Sequence, residues 1–351
     1  YWVQATDRSE RLNGIEPLER VLSINPNLTD ASNWLQGVMS DQGRLRDSIV
    51  ILEQMRERDP LYRPAINNLV LRYNVTGQLD KARKVIEQAR GKFGDDPKLL
   101  ANEASILNFE GRTGEALPLI RESWQQLPND SGTRFLYALY LFDLRDLRGV
   151  LELNGNEFKV AALSQLGRSE EATMLAYKLA ASGEDIGSVF HLLGRSGRHA
   201  ELVEFFEARW ASLEDWNTEY PSQSGFGHIQ LALLAHAYRT VGNEDHFATA
   251  IQMLEDNLEL QRKQGADNMV LLESEAYLEM LKGNEALALE KLSQTVERAY
   301  LFGPRITDDL PAFKPLEGDP RFEAIQQRNL EILNRERAKL GWTPVELDRT
   351  L

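Results

Sequence analysis

Five histidines and six asparagines in a repeating register are the residues of this chain whose types and spacing could do chemistry. The histidines are His191, His199, His228, His236 and His246. None completes an HExxH pattern or another helix-spaced pair with a carboxylate base. His228 and His236 lie about two helical turns apart, and His191 and His199 flank a turn. Such spacing does not by itself converge ligands on a metal, so surface or groove positions are the plainer reading. The chain has no cysteine, which removes disulfides, thiolate nucleophiles and Cys-based zinc sites. The stretch "GRSGR" (194–198) has the look of a phosphate loop but lacks the Lys-Ser/Thr end and a preceding strand, so it reads as a turn. Carboxylates are abundant, yet nothing singles out a pair for acid–base work. The residues therefore point to no catalytic group, no metal site and no cofactor, and the expectation is a protein that is not an enzyme.

The asparagines carry a different chemistry. In "RPAINNLVLRYNVTGQLDKA" (63–82), Ile66, Leu69, Val70 and Tyr73 form one helical stripe. Asn67, Asn68 and Asn74 sit among them, although asparagine suits helix interiors poorly. Asn33 and Asn67, Asn68 and Asn102, and Asn74 and Asn108 are each 34 residues apart. Equal spacing places each pair at equivalent positions of successive helices, on a face turned away from the apolar stripe. An amide offers a donor and an acceptor together, so a ladder of them can grip the main chain of an extended peptide. The alternative is that these are helix-to-helix or solvated amides inherited with a repeat, and both readings stand at this point.

Repetition sets that register. Gly43, Gly77 and Gly111 are 34 residues apart, and Gly167, Gly197, Gly242 and Gly283 follow in the same local context. Each comes after one apolar stripe and before another, as a tight helix–helix turn requires. Pro26 and Pro60 keep the same beat, Pro128 closes a later unit, and each marks a boundary between units. Small residues stand five positions after the turn at Ser48, Ala82, Ala116 and Ala172, where two helices must approach. This pattern resembles the tetratricopeptide repeat family, strongly over 29–128 and loosely over most of 1–300. The resemblance implies an all-α, right-handed superhelical solenoid of hairpins, about eight or nine of them. The non-core face of the first helices would line a concave groove, which places Asn33, Asn67, Asn68, Asn74, Asn102 and Asn108 in it. The match is best at 63–92. The mid-helix small residue is replaced by Gln36 and Val70 and kept only at Ala104. After Gly111 the beat fails, because the next turn glycine comes 56 residues later, leaving room for one degenerate unit. Three stretches follow: a regular array over 1–130, degenerate units over 131–215, and C-terminal units with a closing helix over 216–351. Residues 215–228, rich in Pro, Gly, Ser and Asn, read as a loop, and 254–268 as an over-long second helix.

In the tail, Asp319 is placed to cap a helix beginning at Pro320. Phe322, Ile325, Ile332 and Leu333 form its stripe with Leu330 at the margin; Asn329 interrupts it, and Gln327, Arg328, Glu331 and Arg335 face water. A terminal helix of this kind closes the exposed end of a solenoid. The net charge of -14 and the absence of a dense basic run exclude a nucleic-acid-tracking surface. No apolar run approaches the ~18 residues of a membrane span. The chain opens in mid-pattern at Tyr1, which reads as a fragment whose signal or anchor lies elsewhere. The phrases "AFKPLEGDPRFEAI" and "YWVQATDRSERLNGIEPLERVLSINPN" resemble the repeat region of certain bacterial membrane-anchored proteins, winged-helix transcriptional regulators and class III adenylate cyclases. That resemblance implies a protein- or peptide-binding, sensory module of a larger signalling protein, on the periplasmic side by preference, with the cytoplasm as the alternative. An accessory region of an enzyme such as a nucleotide cyclase, and a self-association surface, are the alternatives.

Overall fold

The computed structural model describes residues 14–219 and 227–346, which fold into helices and turns with no strand. Helix α1 (Ile15–Ile24) leads into the hairpins α2–α3 (Thr29–Asp41, Leu45–Arg58), α4–α5 (Arg63–Val75, Leu79–Phe93) and α6–α7 (Pro97–Phe109, Thr113–Gln126). Then come α8–α9 (Ser131–Asp143, Leu147–Glu152), α10–α11 (Lys159–Gln165, Ser169–Ser182) and α12–α13 (Gly187–Arg195, His199–Glu207). Helix α14 (Leu213–Glu219) precedes α15–α16 (Gly227–Val241, Glu244–Lys263) and α17–α18 (Met269–Leu281, Glu285–Glu297). The tail forms α19 (Ile306–Asp309), a 3-10 helix (Pro311–Leu316) and α20 (Pro320–Ala338). The chain is thus an all-α array of helical hairpins. Among the described residues no helix is long and apolar enough to cross a membrane.

The apolar stripes build it. Ile66, Leu69, Val70 and Tyr73 of α4 are buried with Val85, Ile86 and Ala89 of α5. Ser48, Ala82, Ala116 and Ala172 are each fully buried where the second helix crosses the first. Gln36 fits beside Ser48 because their side chains bond: Ser48 Oγ donates to Gln36 Oε1 at 3.0 Å. Asp96 and Asp130 cap α6 and α8 by accepting from Lys98 N and Thr133 N.

The seven turn glycines all adopt left-handed backbone, with φ between 67° and 81°. The expectation that the beat fails after Gly111 is corrected. Position 145 is again 34 residues on, the turn is again left-handed (φ 60°), and the residue there is Arg145. The reading of 215–228 as one loop is also corrected in part. Residues up to Glu219 are helical because Leu213 and Trp216 bury their side chains; 220–226 lie outside the described residues. The over-long helix is α16, 20 residues in length.

The C-terminal third returns to the first four hairpin turns. Leu260 and Gln261, near the end of α16, stand over Gly43, and Arg46 N donates to Gln264 Oε1 at 3.3 Å. Asp267 N and Asn268 Nδ2 donate to Val75 O at 3.0 and 2.9 Å, beside Gly77. Ala299 and the Arg298 carbonyl press on Gly111, and Gly114 N donates to Glu336 Oε2 at 3.1 Å. Arg337 donates to the Leu144 carbonyl, and Lys339 pairs with Glu115 at 3.0 Å. By contrast, among the described residues nothing lies within 4 Å of where a Cβ would stand at Gly167, Gly197, Gly242 or Gly283. Helix α20 therefore does more than present a wet face. Its stripe is buried, and Asn329 is fully enclosed, accepting from Phe302 N at 3.1 Å and donating to Gly303 O at 2.9 Å.

Two stability outcomes follow. Ala82→Leu overpacks α4 against α5 and lowers the unfolding free energy by ~1–3 kcal/mol in chemical denaturation. Gly111→Ala adds a clash with Ala299 to the backbone strain that Gly167→Ala suffers alone, so Gly111→Ala lowers the denaturation midpoint further.

Candidate functional site

The asparagines fall into an outer pair of rungs and an inner chain. In the outer rungs, Asn68 Nδ2 donates to Asn33 Oδ1 at 2.9 Å and Asn102 Nδ2 donates to Asn67 Oδ1 at 2.7 Å. The bonded partners are 35 residues apart rather than 34, because a side chain reaches forward to the neighbouring helix at a slant. All four are half-buried. Each amide spends one end on its neighbour. Asn33 and Asn67 keep Nδ2, and Asn68 and Asn102 keep Oδ1, without a bond among the described residues. Leu71, 42% exposed, follows one helical turn after Asn67. Arg63 pairs with Asp96 at 2.8 Å, and Lys98 pairs with Asp130, so the starts of α4, α6 and α8 are tied as well.

The inner chain is different. Asn74 is fully buried and donates to Ser105 Oγ at 3.0 Å, so in this arrangement it meets no ligand. Asn108 Nδ2 donates to Thr113 Oγ1 at 3.1 Å. Beyond them lies a buried polar seam that the sequence did not single out: Asp143, Arg145, Arg195, Glu273, Tyr300 and Asp309. Arg145 Nη2 and Arg195 Nη1 hold the two oxygens of Asp309 at 3.2 and 2.8 Å, and Gly303 N donates to it at 2.6 Å. The two arginines and that N–H keep the Asp309 carboxyl below its usual range despite burial. Burial pushes Asp143 and Glu273 up to about 7, against the pull of Arg145 and Arg195 respectively. The one sequence signal for this seam was the 34-residue step from Gly111 to Arg145. Its other members come from hairpins too distant for any local pattern.

The histidines do not assemble. His199 and His236 meet edge to face at 4.9 Å, His246 stacks on Tyr238 at 4.9 Å, and His228 is buried. Burial pushes His236 and His228 down to about 4. Among the described residues no three His, Cys, Asp or Glu side chains gather to hold a metal. The "GRSGR" stretch ends α12 and turns into α13, with Arg195 committed to Asp309 and Arg198 forked onto Glu201.

No family model matches the chain, and no curated protein does. Solved structures do superpose on it. One is the APC/C hetero-tetramer Cut9–Hcn1, with 13% identity, a TM-score of 0.49, and coverage of 89% of this chain and 58% of that one. Another is YrrB, described as a TPR protein with an unusual peptide-binding site, with 14% identity, a TM-score of 0.30, and coverage of 74% and 97%. A third is the P58(IPK) TPR domain, with 13% identity, a TM-score of 0.24, and coverage of 93% and 95%. This chain spans little more than half of the Cut9–Hcn1 chain it matches, and superpositions this loose carry no argument about function. The class is defined by the chain's own architecture, an all-α protein of stacked helical hairpins.

The raised carboxyls give a pH outcome with a definite sign. A carboxyl whose folded pKa exceeds its unfolded value costs stability progressively as pH rises from about 4 to about 7. Glu273 is faced by Arg195, Tyr300, Asp309 and Asp143. Wild type minus Glu273→Gln, measured by chemical denaturation, therefore falls by about 1–3 kcal/mol between pH 5 and 8. A flat difference contradicts the seam.

Proposed function

We propose that this chain is a non-catalytic, tetratricopeptide-type binding array that holds an extended peptide or protein segment across the first halves of α2, α4 and α6. One observation carries the reading. The half-buried amides of Asn33, Asn67, Asn68 and Asn102 each leave one polar end unspent, donors and acceptors alternating beside exposed Leu71. A peptide main chain presents the complementary alternation. The face is bounded on its inner side, where Asn74 is enclosed and Val75 O is taken by Asp267 and Asn268. In finer terms, the sequence resemblance supports placing the array in a larger, membrane-anchored bacterial signalling or transcription-regulating protein, with the array on the periplasmic side.

The helix-to-helix role of the amides dictates the test. Asn33→Asp and Asn67→Asp keep the oxygens that Asn68 and Asn102 bond to, and turn the unspent donors into acceptors that carry a negative charge. Peptides selected on the wild-type chain from a displayed library of random linear sequences are titrated calorimetrically. The double variant should bind them about five- to a hundred-fold more weakly, at ~0.5–1.5 kcal/mol per lost bond, with an unchanged thermal midpoint. Equal binding by the double variant would sink the reading.

A further inference from the structure

The chain contains two Asn-Gly steps, 13–14 and 154–155, and Asn13 lies outside the described residues. Asn154 stands exposed in the bend between α9 and α10. Packing explains the glycine beside it. A Cβ at position 155 would stand 2.7 Å from Arg134 Nε and closer still to the Glu157 carboxylate. Those two side chains form a fork that ties α8 to the chain just ahead of α10. Arg134 Nε and Nη2 donate to Glu157 Oε1 at 3.0 and 2.8 Å. A residue without a side chain passes beside that pair without disturbing it.

The same glycine leaves the neighbouring amide unshielded. Neither the Asn154 side chain nor the Gly155 N–H has a hydrogen bond among the described residues. Asn156 differs in both respects: its Nδ2 donates to Glu184 Oε1 at 2.9 Å, and Glu157 follows it in the chain. Asn33, Asn67, Asn68, Asn74, Asn102 and Asn108 differ too, because the next N–H of each is held inside its helix by a carbonyl one turn back.

We infer that Asn154 is a site of self-modification, losing its amide as ammonia through attack by the Gly155 nitrogen. Water is the sole co-reactant. Gly155 N gives up its proton and bonds to Asn154 Cγ. The Cγ–Nδ2 bond breaks, and ammonia leaves carrying a proton, which closes a succinimide ring. Water then adds to one of the ring carbonyls, which becomes a carboxylate while the ring nitrogen regains its proton. One opening gives aspartate at position 154. The other gives isoaspartate, whose main chain runs through Cβ and is longer by a methylene. Either product sets a new carboxylate near the Arg134–Glu157 fork, on a chain whose net charge is already -14.

The test is ageing of the folded full chain in mildly alkaline buffer, where a backbone amide loses its proton more readily. A parallel sample is aged in urea. Both are digested with pepsin in acid, which halts further loss of ammonia, and each asparagine is read by peptide mass spectrometry with electron-transfer fragmentation. In the folded wild type, position 154 should turn from amide to acid with isoaspartate present, while Asn156 and the helical asparagines stay amides. Asn154→Gln should abolish the conversion in that peptide. Asn154 kept as an amide in the folded chain, whether or not it converts in urea, overturns the site. Acid at 154 without isoaspartate overturns attack by Gly155, because direct hydrolysis yields aspartate alone. Conversion of Asn156 at the same rate overturns the part given to the glycine.

Discussion

A left-handed residue at each tight helix–helix turn is the constraint from which the rest of this architecture follows. The turn reverses the chain without a long loop, and glycine meets that demand at the lowest strain. Glycine also leaves the turn without a side chain. Four such turns stand in a row, and the C-terminal third comes close enough to three of them that a Cβ would meet Gln261, Asp267 or Ala299. The bareness that makes the turn thus also makes the docking edge. Where the row breaks the rule, at Arg145, the side chain is not wasted in solvent but reaches a buried carboxylate from the tail.

Neighbouring hairpins are held by two kinds of contact with different consequences. Apolar stripes supply burial without direction, and fully buried small residues such as Ala82 and Ala116 set how closely helices approach. Polar rungs supply direction: Arg63 to Asp96 at the helix starts, Asn33 to Asn68 and Asn67 to Asn102 further along, and Asn74 to Ser105 at the ends. The rungs pass from half-buried to enclosed along the helices. The same residue type therefore keeps a half-buried polar end at one end of the helices and serves assembly at the other.

Much of this was legible in the sequence. The stripe of Ile66, Leu69, Val70 and Tyr73, the turn glycines and the small residues at 48, 82, 116 and 172 are local patterns, and local patterns dictate hairpins. The cap at Asp319 and the stripe of α20 were legible for the same reason. Two features were hidden. The turn at Arg145 was masked because arginine stands there in place of the glycine that marks the other turns. The return of the tail was invisible because Arg145 meets Asp309 across 164 residues, a pairing that no periodicity encodes. Asn329 looked like a flaw in a stripe until its partners, Phe302 N and Gly303 O, were in view. For the asparagines, spacing showed equivalence but could not show which end of each amide its neighbour consumes.

The central claim is that the last helix lies on the third hairpin. Its most direct test is zero-length carbodiimide coupling of the full chain, followed by peptide mass spectrometry. Lys339 Nζ stands 3.0 Å from Glu115 Oε1 across 224 residues of sequence. The predicted result is an intramolecular Lys339–Glu115 isopeptide bond alongside local ones such as Lys263–Glu259. Local bonds alone, with Lys339 never joined to Glu115, would contradict the closed arrangement.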